Sequence, residues 1–212
     1  MDIVIVLFEG FEPLDAIGPY EILAYVPGAK VRFVAPEPGL LIDALGALTV
    51  EVKTRYSEVE SCDVLLVPGG GGAHKVISDP PFLDWVRRMH ETTRFTTSVC
   101  TGSQVLGAAG LLEGLTATTH WESVADLQGY GAVYTSERVV RQGRIITSAG
   151  VSSGIDMALR LAALLTDDTT AQAIQLYTEY DPRPPFDSGS VAKAPAVVLE
   201  RAGTLNSDRL GG

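Results

Sequence analysis

Residues 94–112, with the sequence RFTTSVCTGSQVLGAAGLL, decide the fold of this chain. The first six are mostly apolar or β-branched and predict a strand, and the small residues after the cysteine predict a helix. A strand that turns into a helix around a reactive side chain, with a small residue two positions away on each side, is typical of a nucleophile elbow. Cys100 occupies that turn, between Ser98 and Gly102. We therefore expect its side chain at the carboxyl end of the sheet, where open α/β folds bind ligands.

Strands and helices alternate on both sides of this turn. The predicted strands are 2–8, 29–36, 62–72 and 94–99, with hairpins at 40–53 and 137–150; the predicted helices are 13–25, 79–91, 101–112, 152–168 and 167–181. Such alternation predicts an α/β fold, with a largely parallel, doubly wound sheet and helices on both faces.

The end of the chain has a different composition. Four of the twelve prolines lie at or after Pro182, and few periodic signals remain there. We therefore expect one domain over residues 1–190 and an extended C-terminal tail over residues 191–212.

Charge and composition exclude several classes of function. A net charge of −10 disfavours binding to nucleic acid or to an anionic membrane surface. No apolar run approaches the roughly 18 residues of a membrane-spanning helix, and the N-terminus lacks the basic segment of a signal peptide. Two cysteines in a chain of this length do not make a disulfide framework. We expect a cytoplasmic protein with free thiols.

Two interpretations of Cys100 are open at this point, a nucleophile or a packed core thiol. The predicted helix places its N-terminus beside the sulfur, where free N–H groups and the helix dipole favour thiolate. Cys62 comes at the start of a predicted strand, so we expect it at the opposite edge of the sheet, as a packed thiol.

A glycine-rich loop, VPGGGGAHK at residues 67–75, follows another predicted core strand. Glycines let a backbone approach a ligand closely, so the N–H groups of Gly70 and Gly71 are candidates for an oxyanion hole. A flexible turn is the alternative. The glycine spacing does not match a nucleotide-binding motif.

Asp15 is the candidate acid, in the first turn of a helix that starts just after the first strand. Its neighbours are apolar, and a poorly solvated carboxyl group has a raised pKa and can hold a proton. The alternative is a first-turn acid that complements the helix dipole.

His120 is the candidate base, because it ends the strand-like run TATTHW just before Trp121. It can pair with Cys100, line a pocket or cap a helix. No histidine, cysteine or acidic residues have metal-ligand spacing, so we expect no metal.

Five segments together resemble the DJ-1/PfpI superfamily of glutamine-amidotransferase-like fold. They are DIVIVLFEGFEPLDAIGPYEIL, DVLLVPGG, TTSVCTGSQVLGAAGLLEGLTATTHW, RVVRQGRIITSAGVSSGIDMALRL and DPRPPFDSG, in order over about residues 2–190. The segments VCTGS, ATTHW and TSAGVSSGID resemble the branch that holds isonitrile hydratases and the amino-terminal domains of AraC-type regulators. No helix-turn-helix pair follows residue 190, which disfavours a regulator.

The resemblance implies a flavodoxin-like sandwich, a homodimer, and a cysteine on an elbow beside an acid from the first helix. That acid maps onto Asp15, and Asp is the residue implied for isonitrile hydratases. Cys100 is followed by Thr101, whereas the protease-like members have His there, which disfavours a peptidase. The implied activity is cofactor-free hydration of an isonitrile to an N-substituted formamide.

In this hypothesis Cys100 is the nucleophile and Asp15 handles the proton. Thr101 and the glycine-loop amides orient the acid, water or developing charge, and apolar residues around Ile17 and Trp121 form the substrate pocket. The alternatives are a glyoxalase or deglycase that acts on 2-oxoaldehydes with Cys100 and His120, and a non-catalytic redox- or ligand-sensing module.

Overall fold

A computed structural model describes residues 1–210 of the chain, with side chains described as far as Leu205. The chain divides into two compact units, Met1–Thr178 and a second unit that starts at Glu179. No helix within the described part is long and apolar enough to cross a membrane.

The first unit alternates strands and helices along its length. Its strands are β1 (Asp2–Val6), β2 (Lys30–Ala35), β3 (Gly39–Ile42), β4 (Thr49–Val52), β5 (Thr54–Arg55), β6 (Val64–Val67), β7 (Phe95–Val99), β8 (Thr116–Ala117), β9 (Val133–Tyr134), β10 (Val139–Gln142) and β11 (Ile145–Ser148). Its helices are α1 (Pro13–Leu23), α2 (Ala73–Val76), α3 (Pro80–Thr92), α4 (Gly102–Ala108), α5 (Val124–Gly129), α6 (Ser153–Leu165) and α7 (Asp168–Tyr177), with 3₁₀ turns at Tyr56–Glu58 and Trp121–Ser123.

The main sheet has seven strands in the order β10-β11-β7-β6-β1-β2-β5. All neighbouring strands are parallel except β10, which pairs with β11 as the antiparallel edge. The prediction of a largely parallel α/β sheet is therefore confirmed. The predicted hairpins are also present, as β3–β4 and as β10–β11.

The three central strands β1, β6 and β7 carry the core. All residues of β6 and β7 are buried, as are four of the five residues of β1. Strands covered on both faces need this continuous apolar or β-branched pattern. Their carboxyl ends meet at one edge of the sheet, so the loops that follow them converge there.

The helix after Cys100 is shorter than predicted and ends at Ala108. Gly110 has φ +76°, and its N–H donates to the carbonyl of Gly107 over 2.8 Å. A glycine in the left-handed conformation is a common way to end a helix, which explains why the small-residue run to Leu112 does not continue it.

The second unit contains helix α8 (Ala196–Leu210). The prediction of an extended conformation across residues 191–212 therefore does not describe 196–210. Pro195 precedes the helix, and the residues LERA at 199–202 favour helix over extended chain. The proposed division of the chain at residue 190 stays a prediction.

Candidate active site

Cys100 lies at the turn between β7 and α4, with φ +58°. A cysteine in the left-handed region is strained, and such strain concentrates at functional turns. Gly102 explains part of the geometry of the turn, because a Cβ on this residue would lie 2.1 Å from the carbonyl oxygen of Val67. Only glycine lets the turn pack this closely against the neighbouring strand end. The sharp strand-to-helix turn predicted from the sequence is present.

Five hydrogen bonds hold the backbone of Cys100, one of them from the N–H of Ser103 to its carbonyl at 3.3 Å. Its N–H donates to the carbonyl oxygens of Ser148 at 3.2 Å and Ala149 at 2.9 Å. Its own carbonyl accepts from Ser103 Oγ at 3.0 Å and from Thr119 Oγ1 at 3.1 Å. Because both backbone groups of the strained residue are bonded, the conformation of the turn is held by its surroundings.

Asp15 is supplied by the first turn of α1, and its side chain is fully buried. Its Oδ2 accepts a hydrogen bond from the N–H of Gly69 over 2.8 Å, whereas Oδ1 has no hydrogen-bond partner. Burial raises the pKa of Asp15 from 3.8 to about 8. The Gly69 N–H opposes this shift, nearby Glu12 adds to it, and a weak interaction with the Cys100 thiol opposes it. The carboxyl group therefore holds a proton at neutral pH.

Burial also raises the pKa of the Cys100 thiol, and the charge of Asp15 adds to the shift. The N–H groups of Thr101 and Val151 lower this pKa, but by less. The N–H groups at the turn favour thiolate, as predicted, but desolvation outweighs them and the net pKa of the thiol is raised. Cys100 rests as a thiol beside a protonated carboxyl group, so any nucleophilic step must include removal of the thiol proton.

Thr101 and the loop after β6 enclose the carboxyl group of Asp15. The N–H of Gly70 donates to Thr101 Oγ1 over 3.0 Å. A Cβ on Gly69 would lie 2.5 Å from Thr101 Oγ1 and 2.9 Å from Asp15 Oδ2. Gly70 has φ +119°, and a Cβ there would lie 2.4 Å from the N of Glu12. Glycine is thus required at positions 69 and 70 for close packing against Thr101, Asp15 and Glu12, whereas the approach of this loop to a ligand stays a prediction.

The roles within this loop differ from those expected. Gly70 uses its N–H on Thr101, and Gly71 is exposed with open space around it. The loop residue that bonds to the acid is Gly69, which the sequence did not single out. Val151 was also missed: it has φ +29° and presents its N–H to the Cys100 sulfur. The VPGG run was a signal for Gly69, and Val151 lies within the TSAGVSSGID segment, but neither pattern specifies that the N–H of that residue enters the site.

His120 lies next to Gly150, close to the Cys100 turn. Among the described residues, it makes no hydrogen bond to Cys100. Its Nδ1 accepts from the N–H of Glu122 at 3.4 Å, so it caps the 3₁₀ turn. Its ring lies so close to Gly150 that a Cβ there would be 2.8 Å from Cδ2. Burial lowers the pKa of His120, so the ring is neutral at neutral pH. Of the interpretations considered, helix capping is the one that the contacts show.

Trp121 and Ile17 were expected to form a substrate pocket. Trp121 is 39% exposed, with its ring centroid 5.7 Å from that of His120. Ile17 is half-buried on α1, two residues beyond Asp15. Their place in a pocket stays a prediction.

Cys62 differs from Cys100 in its surroundings. It is buried, and burial raises its pKa to about 12. It precedes β6, at the opposite end of the sheet strands from Cys100, as predicted. Within the described residues, no three histidine, cysteine or acidic side chains are arranged to hold a metal ion.

Comparison with known proteins identifies relatives of this chain. The sequence profile of the DJ-1/PfpI family matches residues 1–164. The isonitrile hydratase of Pseudomonas putida is 43% identical over 196 residues, which cover 92% of this chain and 86% of that protein. Deglycase PfpI of Pyrococcus furiosus is 27% identical over 140 residues, covering 65% of this chain and 83% of that one. The crystal structure of a ThiJ/PfpI family protein from Pseudomonas syringae superposes with a TM-score of 0.90 at 36% identity, covering 98% of this chain and 88% of that chain.

Proposed function

Since the chain belongs to the DJ-1/PfpI family, we propose that it hydrates an isonitrile to an N-substituted formamide, with Cys100 as nucleophile. The relative named isonitrile hydratase, 43% identical, supports this reaction. The observation that carries the proposal is the protonated, fully buried carboxyl group of Asp15 beside a thiol on a strained turn. A thiol and a carboxylic acid together can add S and H to the same carbon atom, which is what an isonitrile carbon requires.

The first step adds Cys100 to the terminal carbon of R–N≡C. As the C–S bond forms, the thiol proton passes to one oxygen of Asp15, and the carboxyl proton passes to the isonitrile carbon. The product is a thioimidate, R–N=CH–S, and Asp15 is protonated again. The unpartnered Oδ1 is free to carry and deliver the proton, while the Gly69 N–H holds Oδ2 in place.

The second step adds water to the thioimidate carbon. Asp15 donates its carboxyl proton to the nitrogen while its other oxygen takes a proton from water, which gives R–NH–CH(OH)–S and leaves Asp15 protonated. Collapse of this intermediate breaks the C–S bond, forms the formamide carbonyl, and returns the hydroxyl proton to sulfur. The N–H groups of Thr101 and Val151 interact favourably with charge on that sulfur, so they stabilise it as the leaving group.

Thr101 acts in this scheme as a positioning residue and a donor. Its Oγ1 accepts from Gly70, so the hydroxyl proton is left for the water or the developing charge. Ile17 and Trp121 are proposed to contact the R group, since both lie on elements that adjoin the site.

The test is hydration of an aryl isonitrile, followed as formamide formation, by the wild type and by Cys100→Ala, Asp15→Asn and Cys62→Ala. Loss of covalent and acid–base catalysis predicts activity lower by about 10²–10⁴ for each site variant. Cys62→Ala is the matched control and is expected to retain activity, because its thiol lies at the other end of the strands. A Cys100→Ala protein with wild-type activity would end the proposal.

A glyoxalase or deglycase reaction on 2-oxoaldehydes is the second candidate. It is supported by the relative named deglycase and by the neutral imidazole of His120, which packs against Gly150. Incubation with methylglyoxal beside the isonitrile separates the two, since lactate without formamide favours the second. A redox sensor fits less well, because burial and the raised pKa of Cys100 lower its thiolate fraction.

We also propose that the protein is cytoplasmic and forms a homodimer. Both cysteines are free thiols, which suits a reducing cytoplasm. The homodimer implied by the resemblance is tested by light scattering on the purified protein.

A further inference from the structure

A second cavity lies at the antiparallel edge of the main sheet, between β10–β11 and helices α6–α7. Its volume is about 340 Å³, within the range of small-molecule sites. Apolar walls and three charged side chains line it: Val139, Ile146, Ala163, Leu164, Arg141, Arg160 and Asp168. We propose that this cavity binds a small monocarboxylic acid, with its apolar body against the sheet and its carboxylate on Arg160 and Arg141.

The cavity is distinct from the site around Cys100. The guanidinium of Arg141 lies over the ring of Phe95, 5.3 Å from its centroid. Phe95 is the first residue of β7, whereas Cys100 follows the last, so about 16 Å of strand separates them. A ligand on Arg141 therefore does not reach the sulfur.

The charges of the cavity point to an anion. Arg141 is held in place, because its Nε donates to the carbonyl of Gly143 over 2.9 Å while its guanidinium stacks on Phe95. Arg160 makes no ion pair or hydrogen bond among the described residues, although the chain has 26 acidic side chains against 16 basic ones. A guanidinium beside apolar walls matches a carboxylate, which accepts two parallel N–H bonds from it.

Asp168 limits the charge of the ligand. It is the first residue of α7, but the cap of that helix is Asp167, whose Oδ1 accepts from the N–H of Thr170 at 2.9 Å. Asp168 therefore has no capping role and adds one negative charge to two positive ones. The net charge of +1 favours a monoanion over a dianion.

The volume limits the size of the ligand. A volume of 340 Å³ is near the lower end for small-molecule pockets, which favours a small ligand over a drug-sized one. Hexanoate has the right size and charge, hexanamide is its neutral counterpart, and adipate is its dianion.

The test is calorimetric titration of the full chain with hexanoate, hexanamide and adipate. We expect saturable binding of hexanoate at millimolar concentration or below, and affinities at least about 10-fold weaker for the amide and about 3-fold weaker for adipate. Absence of hexanoate binding, or equal affinity for hexanamide, overturns the proposal.

Two variants that change the charge of the cavity in opposite directions make the test specific. Arg160→Gln is expected to weaken hexanoate binding by about 10-fold, and Asp168→Asn to strengthen it by about 3-fold. Arg88→Gln on the exposed face of α3 makes the same charge change away from the cavity and is expected to leave binding unchanged. All three positions are exposed, so folding is retained and is checked by circular dichroism. Equal losses in Arg160→Gln and Arg88→Gln would show non-specific attraction and contradict the assignment.

Discussion

Gly69 donates its backbone N–H to Oδ2 of Asp15 over 2.8 Å, and this bond joins the loop after β6 to the first turn of α1. The two residues are 54 positions apart in the chain. The bond orients a carboxyl group that is otherwise without protein partners on its second oxygen. It therefore fixes the position of Oδ2 in the buried carboxyl group.

Gly69→Ala is expected to reduce formamide formation by about 10–100-fold, because misplacing a catalytic group by a fraction of an ångström is costly. The new Cβ would lie 2.9 Å from Asp15 Oδ2 and 2.5 Å from Thr101 Oγ1. Steady-state kinetics with an aryl isonitrile measure the effect. The control is Gly71→Ala, where the Cβ meets open space, and both activity and stability are expected to stay at wild-type values. Equal effects of the two substitutions would contradict the geometry.

The rate is expected to fall as pH rises through about 8, the pKa of Asp15. The addition step needs the protonated carboxyl group, and this form is lost above that pKa. Because Asp15 and Cys100 interact, the apparent value belongs to the pair. A profile of kcat/KM against pH measures it. A rate that climbs steadily from pH 7 to pH 10 would mean that the ionised pair is the active form.

The stability of the fold is also expected to depend on Asp15. Its pKa is 3.8 in an exposed setting and about 8 in the folded chain, so between these values the folded state holds one more proton than the unfolded state. The contribution of Asp15 to stability is therefore complete below pH 4 and is lost as pH rises towards 8. Urea unfolding of wild type and Asp15→Asn at several pH values measures this. The variant is expected to gain stability relative to wild type as pH rises, and a constant difference would contradict the raised pKa.

Thr101→Val and Thr101→Ser separate the hydroxyl of Thr101 from its volume. Valine leaves the Gly70 N–H without its acceptor, so we expect a loss of about 1–2 kcal/mol in unfolding free energy and a rate lower by about 10-fold or more. Serine keeps the oxygen and is expected to recover most of both quantities. Failure of serine to recover the rate would show that the methyl group, and not the hydroxyl, is what the site uses.

Much of the fold could be predicted from local patterns. The buried strands β1, β6 and β7 are short apolar or β-branched runs bounded by turns, and that pattern is specific for strands covered on both faces. The conformation of residues 196–210 and the end of α4 were predicted less well. The end of α4 depends on the left-handed conformation of Gly110, which the run of small residues does not specify. Residues 199–202 do favour helix, but the prolines that precede them favoured an extended interpretation.

The sequence alone determined where the thiol lies, because a strand that turns sharply into a helix places Cys100 at the carboxyl end of the sheet. It also indicated Asp15, through apolar neighbours in the first turn of a helix. Only the tertiary structure decided the protonation of the pair, since burial outweighs the N–H groups of Thr101 and Val151 in setting the pKa of Cys100. The choice of Gly69 as the donor to Asp15 likewise depends on how two distant loops pack together. Desolvation and close approach are properties of packing, and a linear pattern does not contain them.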